Sequence, residues 1–173
     1  MVDILDKVQK VTDIGKSTQK KQSMLNVSEV FYVWDILVTK LDILDTMQIV
    51  DNYIESKDLK YIAGKLVEGL EEGIKEMEKL MSDYAIPFPI RPPAGSNTSV
   101  DLEHFTDRYI YENIYEGIQS FFPILSSGFM NSTSPKIRKA FKTHLLLTIE
   151  LQELIVEYGK IKGFLDDPPV YRV

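Results

Sequence analysis

The chain has 173 residues, a hydrophobic share of 44% and a formal net charge of −6. This length suits one domain with a full-sized core. The chain contains no cysteine, which excludes disulfides, thiolate metal sites and a cysteine nucleophile. Its negative charge argues against nucleic-acid binding, which usually requires a basic surface.

The N-terminal segment, residues 1–24, begins MVDILDKVQK, with acidic residues and no long apolar run, so no secretory signal is expected. Val2, Leu5, Val8 and Val11 recur at helical spacing until Gly15 breaks the pattern, and residues 16–23 are polar. This segment is predicted to be either a short amphipathic helix or a frayed terminus. The chain has no run of about 18 apolar residues, so no membrane-spanning helix is predicted.

Residues 27–53 contain no glycine or proline and predict the first long helix, with Asn26 or Ser28 as its N-cap. One stripe is polar and contains Ser28, Asp35, Thr39, Asp42 and Thr46. Two faces are apolar, one with Val30, Trp34, Leu37, Leu41 and Leu44, the other with Ile36, Ile43, Met47 and Val50, and Glu29 and Lys40 lie between them. A helix with two apolar faces has more than one neighbour. We expect it at the centre of a bundle, its second face covered by the N-terminal segment or by the partner in a homodimer.

A second helix is predicted over about residues 57–84, where apolar residues step by threes and fours. They are Leu59, Ile62, Ala63, Leu66, Leu70, Ile74, Met77, Leu80 or Met81, and Tyr84. The charged residues of this helix, Glu76 among them, are interpreted as a solvated face. Residues 85–100 contain four prolines and a Gly-Ser-Asn cluster. They are predicted to form a loop that crosses one end or the side of the bundle.

The third helix is predicted to start near Asp101 or Thr106 and to run to about Phe129, with a kink at Pro123 and a turn over residues 128–133. Its inner face consists of Ile110, Ile114, Ile118, Phe121 and Leu125. The fourth helix starts at Ser134-Pro135 and ends near Lys162, before Gly163. Its inner face consists of Ile137, Phe141, Leu145, Leu151, Ile155 and Tyr158, interrupted by His144 and Thr148. Residues 164–173 are predicted to form an extended tail.

Four long helices without a strand predict an all-α fold, an antiparallel four-helix bundle over residues 25–173. Such a bundle raises the question of a di-metal carboxylate centre, which needs glutamates on two helices and Glu-x-x-His on the other two. The two histidines, His104 and His144, both lack a glutamate three residues earlier. His144 is therefore interpreted as a core histidine with a hydrogen-bond partner, and a metal ligand is the alternative.

Two further groups of acidic residues are candidates. Asp101 and His104 have ligand-like spacing, although an exposed helix cap explains them as well. Asp35 and Asp42, with Thr39, would form a buried acidic line if their stripe faced inward, but two flanking apolar faces favour the solvent side. No phosphate-binding or nucleophile motif occurs.

Several short motifs occur in order along the chain. They are Leu25-Asn26-x-Ser28-Glu29 with Trp34, Lys57-Asp58-Leu59, Ile86-Pro87, Phe105-Thr106-Asp107, Ile137-Arg138-Lys139-Ala140-Phe141, Tyr158-Gly159-Lys160-x-Lys162-Gly163-Phe164-Leu165 and Pro168-Pro169-x-Tyr171. In this order they resemble a family of ferritin-like bundle proteins of endospore-forming bacteria. Its members are named spore coat proteins, are similar to coat protein F and have no characterised function. Many members carry two copies of the domain, and some have a histidine where this chain has Asn52-Tyr53-Ile54.

The resemblance, over roughly residues 25–173, implies a ferritin-like bundle with no catalytic residue to transfer. We therefore expect a structural or interaction protein of the spore coat, not an enzyme, without a cofactor. It would assemble through exposed apolar helix faces with a second copy or with other coat proteins. Its place would be the spore coat or the cytoplasm of the sporulating cell. A degenerate metal-binding ferritin-like protein and a bundle that binds a small ligand are the alternatives.

Overall fold

The computed structural model describes residues 15–90 and 105–166, and these residues form an all-helical bundle without strands. The helices are α1 (Thr18–Gln22), α2 (Val27–Val50), α3 (Lys57–Tyr84), α4 (Asp107–Asn131) and α5 (Pro135–Lys162). A 3₁₀ turn, Asp51–Tyr53, follows α2. The predicted all-α bundle of four long helices is thereby confirmed.

Each long helix packs against two others, and the packed pairs run antiparallel. Helices α2 and α5 each contact both α3 and α4. At one end of the bundle, the side chain of Asn26 donates to the carbonyl of Asn131, and Lys136 pairs with Asp83. At the other end, Asp107 accepts from the backbone of Glu55. Helix α3 therefore ends, and α4 begins, at opposite ends of the bundle, about 40 Å apart by the length of α3, and residues 85–106 connect them.

The core consists of the faces that apolar periodicity predicts for α3 and α4. Every residue assigned to those two inner faces is buried. On α5 the same holds except for Leu145, which is half-buried, and His144 and Thr148 are buried in line with the apolar residues. The periodicity succeeds here because these helices have a strongly polar side that leaves one face for the core.

Helix α2 buries three of the four residues of its second predicted apolar face, Ile36, Met47 and Val50, but only Leu37 of the first. Val33 is fully buried although it belongs to neither predicted face, whereas Trp34 is 39% exposed. The buried side runs through Val33, Ile36, Leu37, Lys40, Met47 and Val50, with Glu29 at its start. Trp34 is exposed in the single chain, so its cover by another segment or subunit stays a prediction. Because α2 is apolar on most sides, periodicity alone does not select the side that meets α3 and α4.

The predicted turn at Gly128 was wrong, because α4 continues as a helix to Asn131. Gly128 is buried in the helix, and a Cβ there would lie 2.6 Å from the ring of Phe141 on α5. The glycine permits the close approach of that ring and does not end the helix. Helix α4 also runs through Pro123, and the kink remains a prediction.

The short helix α1 lies in residues 16–23, a polar segment for which the sequence predicted no helix. Helix α1 is capped by Ser17, and the side chain of Gln22 donates to the carbonyl of Ala85 at 3.2 Å. The candidate amphipathic helix over residues 2–14 lies outside the described residues. So do residues 167–173 of the predicted tail, whereas Phe164–Asp166 follow α5 without helical structure.

A buried carboxylate ties the start of α2 to the α4–α5 turn. Glu29 is 0% exposed. Its Oε2 accepts from the backbone N–H of Asn26 at 2.9 Å, and its Oε1 accepts from Thr133 at 2.9 Å and Ser134 at 2.6 Å. One side chain thus accepts from three backbone donors, of which that of Ser134 is buried and the other two are part-buried.

A second carboxylate does the same at the other end of the bundle. Asp107, in the first turn of α4, accepts from the backbone N–H groups of Glu55 and Ser56, both at 2.9 Å. These two residues lead into α3. Glu29 and Asp107 both belong to the short motifs that carry the family resemblance, so those motifs correspond to contacts that hold loops onto helix ends.

Ala85, which ends α3, predicts a substitution that stabilises the fold. It has a left-handed conformation with φ 49°, and Ile86 donates to the carbonyl of Met81. An alanine there is strained by about 1 kcal/mol relative to glycine. We expect Ala85→Gly to raise the free energy of unfolding by about 0.5–1 kcal/mol in urea denaturation. Gly163 ends α5 with φ 67°, so Gly163→Ala should lower the free energy of unfolding. A lower free energy of unfolding in Ala85→Gly would contradict this expectation.

A buried lysine, glutamate and histidine as the candidate functional site

Lys40 of α2 lies in the middle of the bundle with only 4% of its surface exposed. Its Nζ lies 4.9 Å from the centre of the Phe121 ring of α4. A Cβ on Gly73 of α3 would lie 2.6 Å from Cε and 2.7 Å from Nζ, so this glycine leaves room for the end of the lysine in its present position. Burial lowers the pKa of Lys40 to about 8, and the carboxylate of Glu76 opposes part of this shift.

Glu76 of α3 connects this lysine electrostatically to His144 of α5. Nε2 of His144 lies 2.9 Å from Oε2 of Glu76, and the Glu76 side chain is 45% exposed whereas His144 is buried. The contact with His144 is the largest cause that holds the pKa of Glu76 below its ordinary value, and Lys139 and Lys40 add to it. Three helices thus supply a cluster of one acidic and two basic side chains.

His144 is buried, as the interpretation of a core histidine requires. Its charged neighbour across the helix interface is Glu76, which sequence analysis assigned to the solvated face of the second helix. Thr148 does not bond to the imidazole: its hydroxyl donates to the backbone carbonyl of His144 at 2.8 Å. The signal that could have indicated the cluster is Gly73, since a glycine inside a long helix often marks a close approach.

Removal of the imidazole should change the titration of Glu76. In His144→Leu, we expect the pKa of Glu76 to rise towards its ordinary value, because its largest stabilising contact is lost. The measurement is the side-chain carboxyl shift of Glu76 by NMR as a function of pH. Lys139→Met is the matched control, since it removes a smaller contribution, and an unchanged Glu76 titration in His144→Leu would contradict the assigned pair.

The residues of this cluster do not fit a di-metal carboxylate centre. Such a centre requires carboxylates from all four helices and two histidines, whereas here the middle of the bundle holds one glutamate, one histidine and the amine of Lys40. Within residues 15–90 and 105–166, no three side chains of His, Cys, Asp or Glu come together as a metal ion requires. Asp101 and His104 lie outside the described residues, so their role as a cap or a metal site remains a prediction.

The predicted polar stripe of α2 lies at the surface, along a groove between α2 and α4 with a volume of about 360 Å³. Asp42 and Thr46 are exposed, whereas Asp35 and Thr39 are half-buried. The hydroxyls of Thr39 and Thr46 donate to the backbone carbonyls of Asp35 and Asp42 at 2.9 and 3.0 Å. The stripe therefore faces solvent, as favoured, and not the core.

Apolar side chains form a second stripe on the outside of α2, here called the outer stripe. Its members are Val27, Phe31, Trp34, Val38 and Leu41, separated by four, three, four and three residues. The first three are 86%, 54% and 39% exposed, and the last two are half-buried. This spacing keeps all five on one side of the helix.

These features define the class of protein. It is an all-helical bundle with two buried basic side chains, Lys40 and His144, at its centre, and a long connection runs from one end of the bundle to the other between α3 and α4. Within this class, the chain belongs to the family described as "Protein of unknown function (DUF3231)", whose model matches residues 13–173. No curated protein matches the chain. None of the described helices is both long and apolar enough to cross a lipid bilayer.

Two solved structures share the fold. A "putative spore coat protein" from Bacillus halodurans C-125 has a TM-score of 0.78 and 19% identity, over 86% of this chain and 96% of that one. A DUF305 fragment from Deinococcus radiodurans has a TM-score of 0.64 and 14% identity, over 82% of this chain and 99% of the fragment. At these identities the likeness establishes the fold and does not transfer a function.

Proposed function

We propose that this chain is a structural protein of the spore coat type, which acts by packing against other subunits and needs no active site. The observation that carries the proposal is the outer stripe of α2, an apolar surface that the bundle leaves uncovered. Exposed apolar patches of this kind mark protein interaction sites more often than chance. The name of the Bacillus halodurans structure supports the link to the spore coat.

The outer stripe differs from the other exposed apolar residues of the bundle. On α5, Leu146 and Leu154 are 51% and 42% exposed, but Glu150 and Glu153 lie between them and Glu157 follows. From Val27 to Leu41 no charged residue lies within the outer stripe, and only Asp35 borders it. Desolvation of charged groups is costly, so α2 offers the better surface for burial against another protein.

The partner on this surface is a second copy of the chain, in a homodimer. Alternation of three and four residues is the spacing of a helix–helix seam, in which the same stripe on two copies can interdigitate. The alternative cover is the N-terminal segment. The family match begins at residue 13 and includes the stripe but not most of that segment, which favours the second copy.

A ferritin-like origin of the bundle is part of the proposal. In ferritin-like bundles one long connection links two helices that run in the same direction, and residues 85–106 link α3 and α4 in this way. Because the central cluster of this chain contains a lysine and a single glutamate, we propose that this chain uses the bundle for packing and not for metal chemistry.

The experiment that tests the coat assignment is the location of a fluorescently tagged copy in sporulating cells. We expect a ring on the spore surface for the unmodified chain and for Leu146→Asp, the matched control on α5. Phe31→Asp combined with Trp34→Asp should give a diffuse signal, because two charges interrupt the outer stripe. A diffuse signal from the unmodified chain would remove the coat assignment.

The dimer is tested separately with purified protein. Light scattering should give the mass of two chains for the unmodified protein and of one chain for the Phe31→Asp, Trp34→Asp double variant. Trp34 is the only tryptophan, so its emission should shift to longer wavelength when the dimer dissociates. A truncated chain starting at Gly15 should remain dimeric, and a monomeric mass for both lengths at high concentration would contradict the homodimer.

A further inference from the structure

The groove between α2 and α4 contains a glycine that the packing of the bundle does not require. Gly117 lies in the middle of α4, where glycine weakens a helix relative to alanine because it loses more backbone freedom on folding. A Cβ there would meet only Cδ1 of Ile43 within 4 Å, at 3.9 Å, which is an ordinary contact. Alanine would therefore fit, but its methyl group would take up part of the groove that Gly117 lines.

The groove has an apolar floor and a polar rim. The floor is formed by Ile43, Met47, Val50, Leu66 and Ile114. The rim carries Asp42 on α2 and Glu116 on α4, and among the residues that the structure describes no lysine or arginine lines the groove. A volume of about 360 Å³ lies within the range of small-molecule sites.

The neutral polar side chains of the rim donate hydrogen bonds to backbone carbonyls of their own helices. Thr39 and Thr46 donate to carbonyls of α2, Ser120 donates to the carbonyl of Gly117 at 2.7 Å, and Asn113 donates to that of Tyr109 at 2.8 Å. Their oxygen lone pairs remain as acceptors. Apart from the second N–H of Asn113, the rim therefore offers acceptors, two of them carboxylates.

We propose that this groove binds a small organic cation, a primary ammonium group on an apolar body. The ammonium supplies three donors and a positive charge to the acceptors of the rim, near Asp42 and Glu116. The apolar body lies on the floor beside Gly117, in the space that a side chain would occupy. The site is separate from the outer stripe and goes beyond the proposed coat function.

The probe is hexylammonium, compared with hexanoate, which has the same chain and the opposite charge. Hexylammonium should shift the backbone NMR signals of Ile43, Thr46 and Gly117, with a dissociation constant on the order of 1 mM for so small a ligand. Hexanoate should not shift them. Asp42→Asn and Glu116→Gln should each weaken hexylammonium binding about two- to fivefold, since both carboxylates are exposed to solvent. Equal binding of hexanoate would overturn the proposal.

Two glycine variants form the sharpest comparison. Gly64 is exposed on α3 with nothing within 4 Å of an added Cβ, so Gly64→Ala and Gly117→Ala should both raise the melting temperature. Only Gly117→Ala should weaken hexylammonium binding, and Gly117→Leu should abolish it with an unchanged helical CD spectrum. Should Gly117→Leu fail to fold, Gly117→Ala still decides. Unchanged binding in Gly117→Ala would overturn the proposal.

Discussion

Replacement of Glu29 by alanine is expected to lower the free energy of unfolding by about 2–4 kcal/mol, because the buried backbone N–H of Ser134 and the part-buried ones of Asn26 and Thr133 lose their acceptor. Those of Thr133 and Ser134 lie more than a hundred residues away along the chain. The free energy of unfolding should therefore fall several times more than it does when a surface glutamate is replaced by alanine.

Urea denaturation followed by circular dichroism measures this effect. Glu71→Ala is the matched control, since Glu71 is exposed on α3, and it should change the free energy of unfolding by no more than about 0.5 kcal/mol. Glu29→Gln should fall between the two, because the amide retains one oxygen and presents an NH₂ group to a backbone donor. A loss below about 1 kcal/mol in Glu29→Ala would show that other groups satisfy these donors.

Replacement of Lys40 by methionine is expected to stabilise the protein at neutral pH by about 2–3 kcal/mol. At pH 7 the amine is charged in the folded and unfolded chain, and burial makes that charge costly in the folded state, as its pKa of about 8 records. Methionine has a similar length and fits an apolar site beside Phe121 without this cost. The buried lysine is therefore a stability cost that the bundle tolerates.

The pH dependence identifies the cause. Between pH 8 and 10.5 the unfolded chain binds the lysine proton and the folded chain does not, so the stability of the unmodified protein rises with pH across that window. The advantage of Lys40→Met should shrink across it and vanish above pH 10.5. Urea denaturation at pH 7 and above pH 10.5 measures this, with the exposed Lys75→Met as control. Lower stability of Lys40→Met at pH 7 would mean that attraction to Glu76 outweighs burial.

The sequence predicted the inner faces of α3 and α4 well because each helix has one apolar stripe and a polar remainder. It also predicted the stop at Gly163 and narrowed the start of α2 to Asn26 or Ser28 and that of α4 to near Asp101 or Thr106, since these signals depend on residues a few positions apart. The structure has Asn26 and Thr106 as the N-caps. For α2 it predicted two apolar faces where the structure buries one and exposes Trp34. Nearly uniform apolarity gives no preferred side, so only the neighbouring helices select it.

For the candidate site, the sequence singled out His144 but not its partner. Glu76 falls among charged residues of α3 with the same local pattern, and nothing in that pattern distinguishes it from Glu72 or Glu78. Lys40 was noted only as lying between two apolar faces. The contacts among Lys40, Glu76 and His144 depend on how three helices are shifted along and rotated about their axes, and local spacing in the sequence does not determine this.

The sequence by itself thus determined the number of long helices, most of their ends and the absence of cysteine chemistry, because periodicity, caps and composition are local properties. Only the tertiary structure decided which side of α2 meets the core, that Lys40 is buried beside Gly73, and that Glu29 and Asp107 hold loops distant along the chain. The physical reason is the same in each case: burial and hydrogen bonding are set by what lies across the helix interface, and those residues are far apart in the sequence.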